Sequence, residues 1–410
     1  MGIILLGLAI RVILLPISFH SDLNNNAIWG IYAQEFGLRG FYDWLNFGNY
    51  ARPDYPPLAM VLFLVIRNIW QIFFNFFWFL NTTISVFPSK FIPWFETNGY
   101  LSLIKVPGII SDIGITYLIY NFIRNEKSHK VAKSVASLFL FNPAIIYLSA
   151  SWGQLDSIVS FFALSATIFL LKLKYLKSTF FYLTSILIKA TYFPLAVVLF
   201  ISSLKSKINL KNILLIFGVS FLYLYLIGGV FTDHSYFLWS VRTYVDKILP
   251  GAITLPYINL NAFNFWGLIL GLERISDGSL FLGIPLYNWA WGITIIFASL
   301  ILLKFVKGQN IFFCISLLYF SLFLFMPRVH ERYLYPFFVF FPFVLAKLPK
   351  LKKYFYILSG IFLLNLYHWW WFPRIDFLVN IIDAEFIERT LSLSNILIFG
   401  TLLRSYLKNS

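Results

Sequence analysis

Cysteine is nearly absent from this chain. The single one, Cys314, excludes an intrachain disulfide and any metal site built on clustered thiolates. Charge is scarce too: 12% of residues are charged, about half the share of a soluble domain. Hydrophobic residues make up 60% and aromatic residues 21% instead, and several apolar runs reach the roughly 20 residues that a helix needs to cross a bilayer. No Ser/Gly-rich linker, low-complexity tract or tandem repeat is found, which argues against a string of domains. The amino end lacks the basic region and small-residue cleavage site of a secretory signal, so residues 3–19 are expected to form a first span. The MG start does not continue into a myristoylation pattern.

Acidic residues are also few, 17 against 32 basic, which leaves a net charge of +15. Such an excess raises nucleic acid as a partner, but its placement argues against one. Lys and Arg gather in short clusters between apolar runs, at 124–133, 172–177, 205–211, 304–307 and 347–353 and in the tail from Arg404. These clusters hold 18 of the 32 basic residues and only one acidic residue, Glu126. That is the positive-inside pattern, so these loops and both termini are expected at the cytoplasmic face. The fold class expected is all-α: a polytopic transmembrane helical bundle of about ten to thirteen helices, some broken or re-entrant, forming one domain over residues 1–410.

The most unusual stretch lies between the first two apolar segments. Residues 20–56 hold Asp22, Glu35, Asp43 and Asp54 among irregularly spaced Trp and Tyr. The pattern suits a long first outer loop with short helices in the interface. Pro56 and Pro57 then open the next apolar run, where proline fits only the first turn. Two plain crossings over 58–123 would put the basic 124–133 loop on the wrong side, so something between Arg67 and Tyr100 is expected to re-enter or form a hairpin. Residues 180–200 lie between two basic loops, so they are expected to be two half-spans meeting near Lys189–Pro194, with Lys189 directed into a watery cavity. A second large outer loop is expected at 232–279, and HWWWF at 368–372 reads as an interfacial aromatic belt.

The motifs and polar residues placed on the outer face form one constellation. They are Asp22, Asp54, Trp152-Gly153-Gln154-Leu155-Asp156, Lys189, Asn261, Asn264, Arg328, His330, Glu331 and Arg332. Together they offer a carboxylate base, candidate metal ligands and cations able to hold phosphate. In order, HxDLxxxxxW, FYDW, DYPPL, NPAxIYxSAxWGQxDS, a broken Lys-containing helix, NAFNFW and HERYLYP resemble the GT-C membrane glycosyltransferases. The pattern is most similar to bacterial proteins related to the eukaryotic GPI mannosyltransferase II. It covers residues 20 to 336, and WGQxDS and HERYLYP are its most specific phrases. A typical relative reads MHERY, whereas Pro327-Arg328-Val329 precedes His330 here.

The resemblance implies an inverting transfer of a hexose, expected to be mannose, from a polyprenyl-phosphate-linked donor. The acceptor would be of lipid or glycan type, at the extracytoplasmic face of the cell membrane. It implies Asp22 as catalytic base, with Asp54, Gln154, Asp156, Lys189, Asn261, Asn264, His330, Glu331 and Arg332 as substrate-binding residues. Use of a divalent cation as cofactor stays open, because relatives divide on it; nucleic acid is not an expected partner.

Each residue also has a plainer reading. Asp22, Asp54 and Asp156 can cap the helices that they precede, and His330, Glu331 and Arg332 can form a local ion-pair cluster. Asn261 and Asn264 can simply shape a loop. Asp112 is expected to pair with Lys105 for packing, and Arg11 to snorkel or pair. A transporter or lipid flippase of glycan assembly is the competing function. Its expected midplane charges and matching halves are not evident in this sequence.

Overall fold

Long apolar runs favour the helix, which satisfies every backbone N–H and C=O within its own segment. The computed structural model of the chain describes residues 2–43, 46–249 and 255–408, so Trp44 of the FYDW phrase and positions 250–254 of the second outer loop lie outside the described residues. The described chain is mostly helical. Its strands are two-residue pieces: Asn259–Leu260 beside Val329–His330 in parallel, and Leu280–Phe281 against Ile284–Pro285. The chain divides into two compact units, Met1–Gly114 with Ser149–Thr254, and Ile115–Leu148 with Leu255–Ser410.

Among the described residues, five helices are long and apolar enough to span a bilayer: Pro57–Thr83, Phe91–Glu126, Leu210–Gly229, Leu286–Val306 and Glu385–Lys408. A bent pair, His129–Leu140 with Pro143–Trp152, makes a sixth if counted as one. The number is lower than the ten to thirteen expected, because other apolar helices are short. Gly2–Leu14, Asp156–Leu171, Leu195–Lys205 and Ile311–Phe325 each fall below the roughly 20 residues of a full crossing. Several helices start on a side-chain cap: Ser128, Asn142, Asn209, Asn264 and Asn310 each accept from a backbone N–H in the first turn.

In the first unit, the Asp156–Leu171 helix packs through small residues. Ser185 Oγ donates to the Val159 carbonyl and Ser178 Oγ to that of Ala166, both at 2.8 Å, which ties the Tyr175–Ile188 helix closely alongside. That second helix ends where Lys189 takes an extended backbone, φ −156°, before the chain resumes as Leu195–Lys205. The break expected within 180–200 is therefore present.

Trp70 meets Phe95 and Tyr100, and Phe77 meets Phe91 and Phe95, so the 57–83 and 91–126 helices run antiparallel at this end. Lys105 Nζ donates to the carbonyls of Leu15 and Ser18, and Arg11 Nε binds Asp112 at 2.9 Å. The 91–126 helix thus runs antiparallel to the first helix, back toward its start.

The second contact corrects an expectation. Asp112 pairs with Arg11 and Ser149, not with Lys105. Seven residues along one helix are about 10 Å of rise, beyond the reach of an ion pair.

The second unit has its own core. Nearly all of Ile311–Phe325 and all of Tyr335–Leu345 are buried, and phenylalanine fills the space between. Phe312 stacks on Phe343 at 4.0 Å, and Phe320 and Phe325 both meet Phe399. Helices that are apolar all round are buried in this way or face lipid.

Candidate functional site

The Asp22 carboxylate is placed by two stretches far apart in sequence. The first is the connection after the first helix. Lys105 ties down the carbonyls of Leu15 and Ser18, and Ser18 Oγ donates to the Ser151 carbonyl. His20 Nδ1 accepts from the Asp22 backbone N–H at 3.0 Å, and its ring stacks on Trp152 at 4.3 Å. The second stretch is Trp152-Gly153-Gln154. Gly153 has φ +87°, a conformation that favours glycine. A Cβ there would lie 2.7 Å from Leu23 Cδ2 and 2.9 Å from Lys105 Cγ. Turned this way, Gln154 Nε2 donates to Asp22 Oδ2 at 2.5 Å and Trp152 Nε1 donates to the same oxygen at 3.2 Å.

Asp22 opens the Asp22–Phe36 helix, but its carboxylate is engaged across the fold. Trp152 is fully buried, while the Asp22 side chain keeps 40% exposure. Oδ1 has no hydrogen-bond partner among the described residues. The carboxylate is therefore fixed in direction and reachable from outside.

Two residues beyond Gln154, Asp156 Oδ2 accepts from Lys189 Nζ at 2.9 Å, with side-chain exposures of 2% and 10%. Asp156 opens its helix too, yet its carboxylate meets a cation from the break at 189. Lys189 also lies 5.9 Å from the centre of the Tyr55 ring. Tyr55 meets Trp29 edge-on, and its carbonyl accepts from the Tyr42 hydroxyl at 2.6 Å. Burial pushes the pKa of Tyr42 well above its ordinary 10, and the charges of Tyr244 and Asp54 push it further. Asp54 thus lies within electrostatic reach of the buried Tyr42 hydroxyl. Beside Asp43, a polar cavity of about 710 Å³ is lined by Arg39, Asp233, His234, Arg242 and Lys247 among others.

The remaining candidates belong to the second unit. His330 pairs in parallel with Leu260, which sets the HERY turn beside the NAFNFW segment. Glu331 is fully buried, 2.8 Å from Arg332 Nη1 and 3.7 Å from His330 Nδ1. Burial raises the Glu331 pKa, but the Arg332 guanidinium and the His330 ring together hold it down to about 2. Arg328 is taken by Asp277 at 2.6 Å.

Asn264 is completely buried, with Oδ1 capping the Phe265–Leu270 helix and Nδ2 on the Phe323 carbonyl. That geometry shapes a loop, and the substrate-binding reading of Asn264 is withdrawn. Asn261 has φ +63° and places its Oδ1 2.9 Å from His368 Nδ1.

The candidates thus come together as Asp22 with Gln154 and as Asp156 with Lys189 in one unit, and as His330, Glu331 and Arg332 in the other. Sequence reasoning set Trp152 beside Gln154 in the constellation, but missed that Trp152, with His20 and Lys105, places Asp22. HxD and WGQ were the available signals for the first two. It also missed His368, Asp383 and Glu388, whose ligand atoms all lie within 4.8 Å of one another. His368 was hidden in an aromatic run, and its partners lie 15 and 20 positions later.

The chemistry on offer in the first unit is a fixed, accessible carboxylate and, on the same turn of chain, a buried ammonium–carboxylate pair. No protein-family model matches the chain, and no curated protein matches it.

Proposed function

We propose that this chain is a polytopic membrane glycosyltransferase of about ten to thirteen full, short and broken helices. It moves a hexose, mannose in the first instance, from a polyprenyl-phosphate carrier to a hydroxyl of a lipid- or glycan-type acceptor. Its termini face the cytoplasm and its active site faces the outside of the cell membrane.

The observation that carries this reading is the convergence of Gln154 and Trp152 on Asp22. A carboxylate accepts at both oxygens. With Oδ2 held by two N–H donors, Oδ1 is left to take the acceptor's proton. The acceptor oxygen then bonds to the anomeric carbon from the face opposite the phosphate. The bond from the anomeric carbon to the bridging oxygen breaks, and its electron pair stays on that oxygen, so the monoanionic lipid phosphodiester leaves as a phosphomonoester dianion. The transition state is oxocarbenium-like, and proton removal by a positioned base contributes about 10²–10⁴-fold. A leaving group of this kind needs a cation more than an acid, and Lys189 is the buried cation nearest along the chain to the Asp22 donors. The membrane setting is supported by the Leu210–Gly229 helix, which is long and apolar enough to cross a bilayer and leaves its side chains unburied over 18 residues.

The test is transfer by purified protein. Polyprenyl-phosphate-mannose and polyprenyl-phosphate-glucose are offered to lipid and glycan acceptors, with and without EDTA. Product of inverted anomeric configuration, lost in Asp22→Asn, is expected. No turnover of any pair by folded protein would sink the proposal and favour a transporter or flippase.

A further inference from the structure

Three chain segments of the second unit converge beside the NAFNFW segment. His368 lies in the last turn of the Lys352–Trp369 helix. Asp383 directly follows the Asp376–Ile382 helix, and Glu388 lies in the first turn of the Glu385–Lys408 helix. His368 Nε2 is 3.1 Å from Glu388 Oε1 and 3.3 Å from Asp383 Oδ1. On the other edge of the ring, Nδ1 is 2.9 Å from Asn261 Oδ1.

An amide oxygen only accepts, so Nδ1 carries a proton and donates it. In the neutral ring the lone pair of Nε2 then faces two carboxylate oxygens. Nε2 is buried without a hydrogen-bond partner, and the His368 side chain is only 8% exposed. Three electron-rich atoms gathered around one point repel each other unless a metal ion or a proton sits between them.

We propose that His368, Asp383 and Glu388 bind a divalent transition-metal ion, zinc or manganese, with a coordination position left open to water or an anionic ligand. One imidazole nitrogen and two carboxylate oxygens form a donor set suited to these ions. The spacing fits as well. Ligands at about 2.0–2.1 Å from a metal are about 3.0 Å apart at right angles and about 3.4 Å apart in a tetrahedron. The two N···O separations, 3.1 and 3.3 Å, fall in that interval, and the two carboxylate oxygens lie within 4.8 Å of each other.

Asn261 is then a positioning residue. Its amide fixes the tautomer and direction of the ring, as outer-shell partners of metal-bound histidines do. Asn365, on the same helix as His368, donates to the Asn261 carbonyl and accepts from Phe263 N–H, so the cation would also brace the NAFNFW segment. Three protein ligands leave tetrahedral zinc one vacant position, the arrangement of reactive rather than purely structural sites. The proposal does not depend on the transferase reading.

The test uses the full chain in detergent, stripped with EDTA, titrated with Zn²⁺ or Mn²⁺, freed of unbound metal and assayed by mass spectrometry. One equivalent is expected in the wild type and in Asp22→Asn. Asp383→Asn, at a side chain 66% exposed and therefore tolerant of change, should weaken binding at least tenfold, and His368→Gln should abolish it. X-ray absorption of the zinc form should show one imidazole nitrogen with oxygens at about 2.0–2.2 Å. Absence of saturable binding in folded wild type would overturn the proposal, as would equal affinity in Asp383→Asn. Nε2 would then hold a proton shared with the carboxylates. If His368→Gln fails to fold, Asp383→Asn decides the matter alone.

Discussion

Gln154 and Asp22 should behave as one unit in catalysis, and a double-mutant cycle can show it. Asp22→Asn removes the base but keeps an amide oxygen that can accept from Gln154 and Trp152, so the fold should persist. Loss of general-base catalysis predicts a fall in transfer of about 10²–10⁴-fold, or about 3–5 kcal/mol of barrier. Gln154→Leu keeps the base but removes the 2.5 Å hydrogen bond that aims it. Hydrogen bonds to charged groups are worth about 1.5–3 kcal/mol, so a decrease of about 10- to 150-fold is expected. The double variant is the decisive measurement. If Gln154 acts only through the carboxylate, adding Gln154→Leu to Asp22→Asn should cost almost nothing more. The assay is initial-rate transfer from radiolabelled polyprenyl-phosphate-hexose, with thermal unfolding of each variant in the same detergent. Multiplying rate effects would refute the positioning role. Asp22→Asn within threefold of wild type would refute the base.

Other outcomes follow from the same geometry. Lys189→Met leaves the Asp156 carboxylate buried without its cation, at a cost of about 3–5 kcal/mol, while the Lys189→Met/Asp156→Leu pair should recover most of that stability in chemical unfolding but not activity. No recovery would show that the pair does not act as a unit. Gly153→Ala meets both a positive φ and the Leu23 and Lys105 side chains, so it should lower stability by about 1–3 kcal/mol and transfer by about tenfold or more. Wild-type kinetics in that variant would mean that the turn tolerates a side chain. Glu331 holds its proton less tightly in the fold, about 2 against an ordinary 4.5. Its contribution is therefore complete above about pH 4.5 and is lost as pH falls toward 2. That amounts to about 3 kcal/mol, seen as a steeper acid loss of stability than in Glu331→Gln. Parallel curves for the two proteins would contradict it.

Much of this arrangement could be read from the residues in advance, for a physical reason. Charges in an apolar chain are few, so each one stands out. The basic clusters flanking 180–200 demanded a break, and Lys189 supplies it with an extended backbone. Partners were much harder to read. Asp112 chooses Arg11 because the register between two helices brings them level, and register depends on packing rather than on local sequence. His368 looked like part of an aromatic belt because its neighbours are Trp369, Trp370 and Trp371. Its carboxylate partners reach it only through the turns on either side of the Asp376–Ile382 helix.

The groups with chemistry to offer sit where helices stop. Asp22 follows the end of the first helix, and Gly153 turns with positive φ between Trp152 and Gln154. Lys189 is extended, Asn261 has positive φ, and His330 is in a two-residue strand. A continuous apolar helix presents its side chains to neighbouring helices or to lipid, and its backbone needs nothing further. A break frees backbone N–H and C=O groups that must be satisfied by protein or water, which draws polar side chains to the same place. Lys105 on the carbonyls of Leu15 and Ser18 is one such case, and Asn365 on the carbonyl of Asn261 is another. The groups that satisfy a break are also those that aim its functional side chain. Backbone repair and site construction are therefore one event in this fold, and a substitution that regularises a break should damage the site before it damages the bundle.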